Sequence, residues 1–73
     1  MLDNKQLFLV TRHLHHKLRC ETGHSYSIRY DYDSKLDKHL FMAELLSFLS
    51  TGVVKNHSQV ISLTDEEISY ILL

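Results

Sequence analysis

Residues 33–50 read Asp-Ser-Lys-Leu-Asp-Lys-His-Leu-Phe-Met-Ala-Glu-Leu-Leu-Ser-Phe-Leu-Ser, and the conformation of this run decides the architecture. As a helix it has a polar cap at Asp33 or Ser34 and a stop at Gly52. At about 100° per residue, Phe41, Met42, Leu45, Phe48 and Leu49 share one broad apolar face. Leu36, Leu40 and Ala43 lie nearly opposite, Leu46 sits between the two groups, and only Asp37 and Glu44 make a polar stripe. A helix apolar round most of its circumference must be buried round most of it. The terminal helices could supply that cover, but so short a chain has little protein to spare. The pattern therefore predicts a second subunit across a two-fold axis, with Leu36, Leu40, Met42, Leu46 and Leu49 at the dimer interface.

Working outward, His24 to Tyr32 alternates. Tyr26, Ile28, Tyr30 and Tyr32 point one way, while Ser25, Ser27, Arg29 and Asp31 point the other. This predicts a strand with one buried and one wet face. Asp3 followed by Gln6 forms a capping box, with Leu2 and Leu7 as its staple. Leu7, Val10, Leu14 and Leu18 then mark one face of a helix over about residues 4–20, and Gly23 suits a left-handed C-cap. The rival reading pairs 14–20 with 25–32 as a hairpin around Glu21-Thr22-Gly23-His24.

On the other side, Val53-Val54 and Gln59 to Leu63 read as a short hairpin turning at Lys55-Asn56-His57-Ser58. Thr64-Asp65-Glu66-Glu67 is a second capping box, stapled by Leu63 and Ile68, and starts a helix over about 65–73. The expected order is α-β-α-β-β-α: an α+β fold whose short antiparallel sheet packs against helices.

The 73 residues predict a single domain over 1–73 with a marginal core, the setting in which a staple or a partner subunit is commonly needed. A single cysteine, Cys20, excludes an internal disulfide. Hydrophobic content of 44% and charged content of 23% exclude disorder, and a net charge of -1 excludes a histone-like electrostatic binder. Apolar runs such as Leu7-Phe8-Leu9-Val10 fall far short of the roughly 20 residues of a membrane-spanning helix. With no recognisable signal peptide and a free thiol, the expected compartment is the cytoplasm.

Six histidines are many for this length. On a helix, His13, His16 and Cys20 fall along one line, with His24 beyond, and imidazole and thiolate are good zinc ligands. One helix rarely supplies a whole tetrahedral set, so no metal and no cofactor is expected. Cys20 with a histidine four residues to either side could pair nucleophile and base, yet nothing nearby supplies an oxyanion hole, and no catalytic residue is assigned. The tyrosine row could stack bases, but it reads more simply as the core face of its strand.

Charge is uneven. Residues 1–29 carry +3 and four histidines, while residues 30–73 carry -4. Arg12, His13, His16, Lys17 and Arg19 form the candidate partner-binding face, which gains charge as pH falls through the imidazole range. The expected function is a small protein–protein interaction module: a regulator, adaptor or inhibitor acting by binding, as a homodimer, and not an enzyme. The alternative is a dimeric nucleic-acid-binding regulator using the basic N-terminal helix and Arg29. Its pI of about 6.6 lies well below the value above 9 common among such domains.

Overall fold

The computed structural model describes residues 1–45 and 58–73. Their order is α1 (Asn4–Thr22), β1 (Tyr26–Asp33), β2 (Lys38–Leu45), β3 (Ser58–Leu63) and α2 (Asp65–Leu72), a small α+β fold. The three strands form an antiparallel sheet in sequence order, β1-β2-β3.

The N-terminal expectations hold. Asp3 accepts from the Gln6 N–H while the Gln6 side chain accepts from the Asp3 N–H, closing the capping box. The helix runs on to Thr22, which rules out the hairpin reading of 14–20. Gly23 ends it at φ 77, its N–H donating to the Arg19 carbonyl at 2.8 Å. Val10, Leu14 and Leu18 form the buried stripe. At the other end, Thr64 and Glu67 make the second capping box, and Asp65, Glu66 and Glu67 place negative charge at the positive end of the α2 dipole.

The run 33–50 corrects the sequence reading. It is not a helix through its described part: residues 38–45 form β2, the central strand, and the order is α-β-β-β-α rather than α-β-α-β-β-α. The helical signals were locally sound. The Asp33 carboxylate accepts from the N–H groups of Lys35 and Leu36, at 3.0 and 3.2 Å, as an N-cap would. The coil then reverses at Asp37, which has φ 52, and the chain returns beside β1. His39, Phe41 and Ala43 face inward and are buried, while Leu40 and Met42 face outward, half-buried. The apolar run thus reflects a central strand paired along both edges, with His39, Phe41 and Ala43 buried on its inner face, and not a helix.

Of the residues assigned to a helical dimer interface, Leu36 is 66% exposed in the β1–β2 turn, and Leu40 and Met42 lie on the outer sheet face. Leu46 and Leu49 lie outside the described residues, as do the expected strand at Val53-Val54 and most of the turn after it.

Both helices cover the inner face. Val10 and Leu14 from α1 meet Phe41, Leu63 and Ile68, joined at the margin by Leu2, Leu7, Ile28, Tyr30, Ile61 and Ile71. A second cluster holds Leu18, Tyr26 and Ala43. The tyrosine row lies on this face as expected. Tyr26 is buried, Tyr30 packs on Phe41 with ring centroids 5.2 Å apart, and Tyr32 tilts against His39 at 5.1 Å. Among the described residues, no helix is long and apolar enough to cross a membrane.

Candidate partner-binding surface

Helix α1 buries Val10, Leu14 and Leu18, so the 3.6-residue period turns Arg12, His13, His16 and Arg19 to solvent. Two hollows flank its exposed side. The first, about 390 Å³, lies between α1 and α2 and is lined by Leu9, Arg12, His13, His16, Ile71 and Leu72. The second, about 420 Å³, lies toward the start of β1 and is lined by Arg12, His15, His16, Arg19, Ser25 and Tyr26. Arg12 and His16 border both, so Arg12, His13, His16 and Arg19 form one continuous surface. Lys17 is exposed but borders neither hollow.

Apolar groups sit beside these cations. Leu9 is 38% exposed and Phe8 64%. The surface therefore offers a desolvatable floor inside a cationic rim, as protein interfaces do.

The His16 Nε2 lies 3.6 Å from the Cys20 Sγ, across one helical turn. Among the described residues, no three His, Cys, Asp or Glu side chains are grouped to hold a metal, and His13 does not join this pair. Arg29 takes no part in the α1 surface. It lies on the outer face of β1, away from the helices, 3.7 Å from Glu44.

The polar cluster that sequence reasoning missed is centred on His39, which is 1% exposed. Its Nδ1 lies 2.8 Å from the Tyr30 hydroxyl and its Nε2 lies 2.6 Å from the Asp65 carboxylate. The Leu2 N–H donates to the same tyrosine oxygen at 3.3 Å. A neutral imidazole satisfies every donor in this chain: Tyr30 donates to Nδ1, and Nε2–H donates to Asp65. The Asp65 side chain is 71% exposed, whereas neither hollow contains Tyr30 or His39. The network ties the N-terminus, β1, β2 and α2 together. No sequence period marks His39; only the strand assignment puts it on the inner face opposite Tyr32.

On the adjoining turn, the Tyr32 hydroxyl donates to Asp37. That bond, with some desolvation and the Asp37 charge, pushes the phenol up to about 12. No protein-family model, curated protein or solved structure matches this chain.

Proposed function

We propose that this chain is a small cytoplasmic interaction module that acts by binding, not catalysis, and works as a homodimer. Its target in this reading is an acidic, amphipathic segment of another protein. The observation that carries the reading is the α1 groove, where Arg12, His13 and His16 surround Leu9, Ile71 and Leu72. A carboxylate-bearing helix fits that chemistry, with apolar side chains on the floor and carboxylates at the rim. The exposed thiol of Cys20, which forms no disulfide, supports a reducing compartment.

The second reading is nucleic-acid binding. The hollow bordered by Arg12, His15, His16 and Arg19 favours it, since these groups could meet phosphate. Against it, Arg29 is turned to the opposite side of the sheet, which leaves α1 to bind alone.

The test is fluorescence anisotropy with a labelled helical peptide carrying leucine on one face and glutamate on the other. Arg12→Ala/His16→Ala, at the two positions that border both hollows, should weaken the peptide several-fold, whereas Lys17→Ala, which borders neither, should leave its affinity unchanged. Equal affinity in all three proteins would remove this surface as the binding site.

A further inference from the structure

The outer face of the sheet carries a self-complementary pattern. Among the described residues no element packs on it; both helices lie on the other side. Along β2 the outward residues run Lys38, Leu40, Met42, Glu44: a cation, two apolar groups, an anion. Beside them on β1, Asp31 stands opposite Leu40 and Arg29 opposite Met42. On the other flank, β3 places Val60, 63% exposed, opposite Met42.

A two-fold axis perpendicular to the strands, in the plane between two stacked sheets and over Phe41, maps this pattern onto its complement. It reverses each strand while keeping β2 on β2 and β1 on β1. Lys38 then faces the second copy's Glu44, Arg29 faces its Asp31, and Leu40 faces its Met42. Each contact occurs twice, as two-fold symmetry requires. Because Arg29 and Glu44 already lie 3.7 Å apart within one chain, each end gains an alternating row of four charges: Lys38, Glu44, Arg29, Asp31. The two-fold along the strands gives the reverse, setting Lys38 against Lys38 and Glu44 against Glu44.

We infer that the outer sheet face is the homodimer interface, with two copies stacked face to face about this axis. The inference rests on the homodimer part of the proposed function and supplies its surface. Strands of 8, 8 and 6 residues set about 4.8 Å apart present a footprint of roughly 340 Å². This is small beside the ~800 Å² of accessible surface each partner buries in a standard interface, so association is weak and concentration-dependent. On this axis Leu40 and Met42 meet the second copy as strand residues rather than as helix residues.

The test is a dilution series by sedimentation velocity on the full chain, with circular dichroism as the folding control. Lys38→Glu and Glu44→Lys should each weaken self-association at least tenfold, because each sets like charges against each other twice. Mixing the two variants should restore association, since every pair across the axis is then opposite in sign. A mixture that associates no better than either variant alone overturns the inference. Dimers that survive both substitutions also overturn it, by placing the interface elsewhere and leaving the homodimer reading intact. A wild-type chain that stays monomeric up to about 1 mM overturns both.

Discussion

A single imidazole links four parts of the molecule. His39 is buried, and its two ring nitrogens are bonded to Tyr30 and Asp65. Removing either partner leaves a buried nitrogen without its bond, which costs about 1–3 kcal/mol. Tyr30→Phe and Asp65→Ala should each destabilise by about that amount in urea melts. Because both act through one ring, the double variant should lose less than the sum of the two. A strictly additive pair would show that the two bonds are independent. Tyr32 makes a separate prediction. Its phenol, raised to about 12 by the bond to Asp37, should ionise well above the usual value near 10 in an alkaline absorbance titration. The sign follows from the neutral form being the one favoured by folding. This contribution is fully present below pH 10 and is lost as pH rises through 12. Asp37→Ala should return the phenol toward its ordinary value. None of these partners was legible in the sequence, because the bonds depend on the β1–β2 register, the turn between those strands and the packing of α2, which periodicity alone does not set.

Elements with a closed capping box or a clear alternation were legible, and the run whose apolar pattern fitted two conformations was not. Both capping boxes formed as read, and Gly23 ends α1 in the left-handed conformation. No atom lies within 4 Å of a Cβ built on Gly23, so Gly23→Ala meets only backbone strain and should cost about 1 kcal/mol. Residues 38–45 failed because a short apolar run fits a buried strand and a helix equally, and the Asp33 turn imitates a cap. The two conformations predict different substitution tolerance. Phe41 is fully buried, so Phe41→Ala should cost about 3–5 kcal/mol. Leu36 stands in the turn, so Leu36→Glu should stay within about 0.5 kcal/mol. A helix buried on most sides would lose heavily at both positions, and thermal melts of the two variants separate the cases.

At the scale of the whole molecule, the sheet divides the surface in two. The helical side carries the cationic groove, and the outer side carries the self-complementary charge pattern. Charge asymmetry was visible in the sequence, as was the alignment of Arg12, His13, His16 and Arg19. The apolar floor was not, because Ile71 and Leu72 reach the groove only through the packing of α2 against α1. A partner engaged on the helical side leaves the sheet face free, so binding and dimerisation can be measured separately. The most direct measurement titrates the Leu/Glu peptide and labelled duplex and single-stranded oligonucleotides against one protein sample at 50 and 200 mM salt. The account predicts micromolar peptide binding with a shallow salt dependence, weakened about tenfold in Arg12→Glu/Arg19→Glu, and oligonucleotide binding weaker than the peptide's. Sub-micromolar oligonucleotide binding that falls about a thousandfold between the two salts, as several phosphate contacts require, would contradict it.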